Sequence, residues 1–248
     1  MNICDFFQNI PIFVINLSDC VARREHCENE FKDYPEFRMI NAIDGRNTEE
    51  FHKTYNVKYD TSEDFNTALI AVICSHAKAM KIALNEGHEN VIIFEDDVHT
   101  ELISRCNFTI KDVMNKKNDW EIIQLYYTSE LVNNNNHFKQ NGIDLLPRNG
   151  VKSGTCYMIN KKGIENILTN YIKVSDNLLE YDIVNPIIDP EHTIFCNVKS
   201  YIINRPFVYY YFDSMSFNSY TNTENTEYKQ FVQTIQKDSK NLLISLYK

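Results

Sequence analysis

Four apolar residues in a row, Val91-Ile92-Ile93-Phe94, run directly into three acids, Glu95-Asp96-Asp97. A short run that is apolar on both faces belongs to a strand covered above and below, so a chain carrying it must build layers around it. Immediately upstream, Leu69, Val72, Ile73, Ala77, Met80 and Leu84 recur at helical spacing between Asn66 and Glu86, and Gly87 stands where a left-handed C-cap is expected. A long helix turning into a buried strand is an α/β unit. The acids then lie at the strand's carboxyl end, which in open α/β sheets is where ligands bind.

The rest of the chain repeats that alternation. Ile12 to Leu17 is a β-branched apolar run bounded by Pro11 and Ser18-Asp19, and either of the last two is placed to cap a helix carrying Val21, Cys27 and Phe31. Tyr34-Pro35 ends that helix, and Phe37 to Asn41 forms a second strand closed by the turn Asp44-Gly45. Trp120 to Tyr127, Thr155 to Ile159, Val198 to Ile203 and Val208 to Phe212 have strand character. Asn160 is positioned to cap a helix through Ile164, Ile167, Leu168 and Tyr171, and Asn133 to Asn136 reads as loop. An amphipathic stretch with Tyr228, Phe231, Val232 and Ile235 predicts a C-terminal helical segment around 224–248. No repeat or linker divides the chain, so the expectation is one α/β domain over 1–248, a mostly parallel central sheet flanked by helices.

A formal net charge of -9 argues against a sequence-independent grip on nucleic acid, which needs clustered Lys and Arg. No apolar run approaches the length that spans a bilayer, and Met1 to Asn9 lacks the pattern of a signal peptide, so a cytoplasmic protein without a membrane span is expected. The seven cysteines are scattered without a Cys-x-x-Cys pair, which fits reduced thiols and offers no structural zinc pattern. The oligomeric state leaves no mark in the sequence.

Consecutive carboxylates repel, and at the end of an apolar strand a positive partner must join them. A divalent cation with hard oxygen ligands, Mg²⁺ or Mn²⁺, answers that need and leaves positions for water or phosphate oxygens. In an extended chain Glu95 and Asp97 face one side and Asp96 the other, an acid-x-acid clamp. A solvated acidic turn is the alternative for the triplet taken alone; its place after a buried strand favours the ligand site.

Six blocks in order resemble glycosyltransferase family 25, the group of bacterial lipooligosaccharide and collagen hydroxylysine galactosyltransferases. They are Ile12 to Leu17 followed by Arg23-Arg24-Glu25; Asn41-Ala42-Ile43-Asp44-Gly45-Arg46; Ser75-His76; Val91 to Val98; Asp119-Trp120-Glu121; and Gly154 to Ile159 followed by Lys162-Gly163. The resemblance implies a GT-A-like nucleotide-sugar-binding fold and an inverting hexosyltransferase that moves galactose or glucose from a UDP-sugar to a hydroxyl of a glycan or hydroxylysine-type protein. It also implies Mn²⁺ or Mg²⁺ held by Glu95 and Asp97, with Asp96 as a third acid on the donor side.

Within that frame Arg23 or Arg24 would meet the donor diphosphate, against the plainer role of a solvated helix face paired with Glu25 or Glu28. Asn16 would contact base or ribose, or else cap the following turn. His76 would shape the donor site, although a lone histidine on an apolar helix face is more often a hydrogen-bonded core residue. Inversion requires a base, and Asp176, in the acidic stretch with Glu180 and Asp182, aligns with an aspartate of the family's late Pro-Val-Asp block, whose proline is missing here. Tyr209 to Phe212, Phe217 and Tyr220 offer ring faces for an acceptor sugar, or else core filling.

The sequence departs from the family pattern at Ala71-Val72, where Gly-Cys is usual, and at Ser18-Asp19. A degenerate member that binds sugar or protein without catalysis is therefore the alternative. A nucleotidyl or phosphoryl transferase ranks below both, because no P-loop or Gly-rich phosphate cradle is present.

Overall fold

A computed structural model of the chain describes residues 1–59, 66–126, 142–148, 156–184, 190–195 and 197–210, with single positions at 241, 244 and 247. The elements in chain order are α1 (Ile3–Phe7), β1 (Ile12–Asn16), α2 (Val21–Glu30), β2 (Phe37–Asn41), α3 (Thr48–Thr54), β3 (Asn56–Tyr59), α4 (Thr67–Asn85), β4 (Asn90–Glu95) and β5 (Val98–His99). A 3-10 turn (Glu101–Arg105) leads to α5 (Ile110–Met114), β6 (Ile122–Gln124), β7 (Leu145–Pro147), β8 (Cys156–Asn160), α6 (Lys161–Asn170), β9 (Ile172–Val174), β10 (Glu180–Ile183), α7 (Pro190–Phe195), β11 (Ser200–Ile203) and β12 (Tyr209–Tyr210).

Among the described residues the central sheet has seven strands, in the order β2-β1-β4-β8-β6-β11-β7. β1 is parallel to β2 and β4, and β6 to β11, whereas β8 runs against β4 and β6 and β7 runs against β11. Five strands thus point one way, and β8 and β7 are reversed within a mostly parallel sheet. The architecture is the expected α/β, GT-A-like one. Two small sheets, β3-β10-β9 and β12-β5, flank it.

Alternation along the strands sorts the core onto two faces. Ile12, Val14, Ile92 and Phe94 face a layer with α1, α2 and α5; Phe13, Ile15, Val91 and Ile93 face α4, α6 and the β3-β10-β9 sheet. α4 is, by length and composition, apolar enough to cross a bilayer, contrary to expectation. Its apolar positions, among them Ile70, Ile73, Ala77 and Met80, are instead spent as the core helix of this second layer.

Local chemistry sets the ends of α4 as anticipated. Asn66 accepts from the Ala68 N–H at 2.9 Å, and at the far end Gly87 adopts φ +76° while the His88 N–H reaches back to the Ala83 carbonyl at 3.1 Å. α2 departs from its reading in two ways. Val21 is 54% exposed, so only Cys27 and Phe31 carry the apolar face. Neither Ser18 nor Asp19 caps the helix: Cys20 is the N-cap and makes no side-chain capping bond, and Asp19 pairs with Arg46 at 2.7 Å. Asn160 caps α6 as expected, accepting from the Gly163 N–H at 2.8 Å.

Two glycine-bearing blocks owe their composition to close approach. A Cβ at Gly45 would lie 2.6 Å from the Thr67 carbonyl, where the turn after β2 presses on the start of α4, and one at Gly163 would lie 2.8 Å from the Glu121 carbonyl. The stretches 127–141, 149–155 and 211–240 fall outside the described residues, and with them Thr155, Tyr211, Phe212, Phe217, Tyr220 and most of the segment around 224–248. Of that segment, the Tyr247 hydroxyl donates to the carbonyls of Arg205 and Pro206.

Candidate functional site

β4 delivers Glu95 to the carboxyl edge of the sheet, and Asp96 and Asp97 form the turn into β5. β1 ends beside it in parallel register, Ile15 opposite Glu95, which brings Asn16 to the same edge. The three acids then take three different environments.

Asp96 is buried and both its oxygens are engaged: Asn16 Nδ2 donates to Oδ2 at 2.7 Å and Arg23 Nη1 to Oδ1 at 2.6 Å. Burial pushes its carboxyl up, and the Arg23 guanidinium and the Asn16 amide oppose the rise. Asn16 also donates to the Cys20 carbonyl at 3.3 Å, so it ties the first strand's end to both the helix entry and the acid. Its own Oδ1 is buried without a hydrogen-bond partner. The two roles weighed for Asn16, turn cap and site residue, meet in one side chain.

Glu95 faces the opposite layer, with Oε1 3.5 Å from His76 Nε2. His76 is buried on α4, and its Nδ1 lies 3.0 Å from the Tyr157 hydroxyl of β8. The imidazole thus stands between the Tyr157 hydroxyl, which it meets in a hydrogen bond, and the Glu95 carboxylate, which it approaches from the other ring nitrogen. The result is a chain, Tyr157 to His76 to Glu95, that aims the carboxylate from behind.

Asp97 is the uncompensated member. Its Oδ1 is buried and has no hydrogen-bond partner among the described residues. Burial, with the neighbouring charges of Glu95 and Asp96, pushes its carboxyl up to about 8, and Arg23 only partly opposes this. Among the described residues, the positive partner that the triplet demands is supplied at Asp96 and not at Asp97. A hard divalent cation fits this donor set, since Glu95 and Asp97 offer carboxylate oxygens at the ligand edge and one of those oxygens has nothing else to bind.

The remaining expectations divide. Arg23 joins the acids; Arg24 points elsewhere and donates to Asn41 Oδ1 at 2.9 Å. Asp176 is not brought to the site. It sits in the exposed turn between β9 and β10, 94% exposed, with Oδ1 2.8 Å from Lys81 Nζ. Lys81 lies five residues beyond His76, about 7.5 Å further along the helix axis. Lys81 also holds the Asp176 carboxyl below the usual range, the wrong direction for a base. Position in the sequence suggested the role; the structure places the carboxylate in an exposed ion pair with Lys81 instead of beside the acids.

Two contributors escaped the sequence reading. Tyr157 looked like ordinary strand filling, and only its place across from Ile93 puts its hydroxyl under His76. Arg46 binds both Asp44 and Asp19, at 2.5 and 2.7 Å, and so links the turn after β2 to the loop after β1 at the same edge of the sheet. The Asp44-Gly45-Arg46 turn, already one of the six blocks, was the available signal.

The family model described as Glycosyltransferase family 25 (LPS biosynthesis protein) matches residues 9–184, most of the chain and every site residue described above. No curated protein matches the chain.

Proposed function

The chain belongs to glycosyltransferase family 25, and from that premise we propose that it transfers a hexose, galactose or glucose, from a UDP-sugar to an acceptor hydroxyl with inversion, using Mn²⁺ or Mg²⁺ held by Glu95 and Asp97. Membership implies a sugar donor and an acceptor. The acceptor class in this reading is a glycan or a hydroxylysine-type protein, and the family's description as an LPS biosynthesis protein favours the glycan.

The observation that carries the proposal is the buried Oδ1 of Asp97, without a hydrogen-bond partner among the described residues, beside Glu95 at the carboxyl edge of β4. When bound there, the ion neutralises charge on the departing diphosphate. The chain's own residues prepare the site. His76, held by Tyr157, fixes the direction of Glu95. Asn16 and Arg23 take up both oxygens of Asp96, so that acid anchors the turn and brings a guanidinium to the edge where a diphosphate would lie. Arg24 and Asp176 have no part in this reading.

A donor-hydrolysis screen across UDP-sugars, with and without Mn²⁺, tests it. The expected outcome is metal-dependent turnover of UDP-galactose or UDP-glucose. Absence of turnover and of UDP binding under all conditions would remove the proposal.

A further inference from the structure

Behind the acidic turn, on the layer opposite α4, a second set of metal-ligating side chains converges. His26 and Glu30 stand four residues apart on α2 and so share one face of the helix, and His99 on β5 faces them. One ligand atom from each of the three lies within 4.8 Å of the others, and all three residues are part-buried.

Each side chain is also held from behind, as ligands of a metal are. His26 Nε2 lies 3.1 Å from the Val98 carbonyl; a carbonyl only accepts, so Nε2 carries the proton and Nδ1 keeps the lone pair that a metal takes. Glu30 Oε1 accepts from the Thr100 N–H at 2.7 Å and from the Thr100 hydroxyl at 2.5 Å. The His99 ring stacks on Tyr209 of the paired strand at 5.2 Å, 8° from parallel, and lies 4.3 Å from the His26 ring.

We propose that His26, Glu30 and His99 form a zinc site, distinct from the acidic edge, that pins α2 to β5. Two imidazoles and one carboxylate are a nitrogen and oxygen set suited to Zn²⁺, with the fourth position left for water. The site shares no residue with Glu95 and Asp97, whose all-oxygen set suits the harder Mg²⁺ or Mn²⁺. Its place gives it a structural consequence. α2 carries Arg23, one turn before His26, and β5 directly follows Asp97, so an ion here fixes the two elements that hold the acidic turn in shape.

The test is zinc uptake by the full chain after chelator treatment, in a Cys4→Ser background that removes the thiol exposed among the described residues. Bound metal is measured by elemental analysis after desalting, and affinity by competition with a chromogenic chelator. The parent and a Glu95→Gln/Asp97→Asn variant should each retain one Zn²⁺ per chain. His26→Asn and His99→Asn should weaken binding at least about 100-fold, and Thr100→Val, which removes one of the bonds orienting Glu30, about tenfold.

Circular dichroism of the zinc-free proteins checks that the variants fold. If a histidine variant does not, Glu30→Gln serves in its place with the same expected loss. Zinc uptake unchanged by the histidine and Glu30 substitutions would overturn the proposal, as would uptake that vanishes with Glu95 and Asp97. None of these readouts depends on transferase activity, so the site can fail while the proposed function stands.

Discussion

The two edges of the central sheet each bury a carboxylate, and they treat it in opposite ways. Glu121, at the start of β6, is buried yet fully answered: Lys162 Nζ lies 2.7 Å from Oε1, and the Asn166 amide and the Lys199 N–H reach Oε2 at 3.2 and 3.1 Å. Burial alone would push its carboxyl up, but Lys162, the Lys199 N–H and Asn166 outweigh it and leave the group lowered. Asp97, at the other edge, has a buried oxygen with no such partner, and its carboxyl is raised. A buried acid whose partners are all supplied by the fold serves the fold. One left unanswered among the described residues weakens the fold and marks a candidate ligand site.

Substitutions at the two edges should therefore separate activity from stability. The largest effect is expected from Asp97→Asn: metal-dependent donor turnover falls about 10³-fold, the size of losing one charge-stabilising group at a reacting centre. Its thermal midpoint in chelator at pH 8 should equal or exceed that of the parent. The sign follows from the raised carboxyl: the native state holds its proton more tightly than the unfolded chain, so ionisation at high pH costs native stability, and the amide removes that cost. A melting curve and a turnover assay on one preparation check both halves.

Glu121→Ala should do the reverse, lowering stability by about 2 kcal/mol in a denaturant melt through the stranded Asn166 and Lys199 groups, with turnover per folded molecule retained. Tyr157→Phe strips His76 of its hydrogen-bond partner without changing the ring, and a loss of about tenfold in turnover is expected at nearly unchanged fold. A loss that persists when His76 is already replaced would show that Tyr157 does not act through it. The smallest effect belongs to Asp176→Asn, whose exposed pairing with Lys81 predicts turnover within about twofold of the parent. A collapse of activity there would return the base to Asp176.

What was legible in the sequence is what depends on near neighbours. Helix α4 with its Asn66 and Gly87 ends, strand β4 and the acids beyond it are fixed by periodicity and capping, and they stand where expected. The opposed directions of Asp96 and Glu95 also follow from alternation along β4. What the sequence hid depends on partners far along the chain. Asp19 leaves α2 uncapped because Arg46, across a turn, outcompetes the helix end. Asp176 was drawn to the site by its place in an acidic stretch, and only the packing against Lys81 shows that it faces away. The reversed strand β8 brings Tyr157 to His76, and His99 meets His26 across a gap of 73 residues that no short-spacing pattern reports.

In the proposed reading, Asp97 is left without a partner among the described residues so that a metal can bind a nucleotide diphosphate beside it. Titration calorimetry of UDP into the parent and into Asp97→Asn, each with Mn²⁺ and with chelator, measures this directly. UDP binding at least about tenfold tighter with Mn²⁺ is expected for the parent, and no difference between the two conditions for the variant. Equal affinity in the parent with and without Mn²⁺, or a variant that keeps the enhancement, would contradict it.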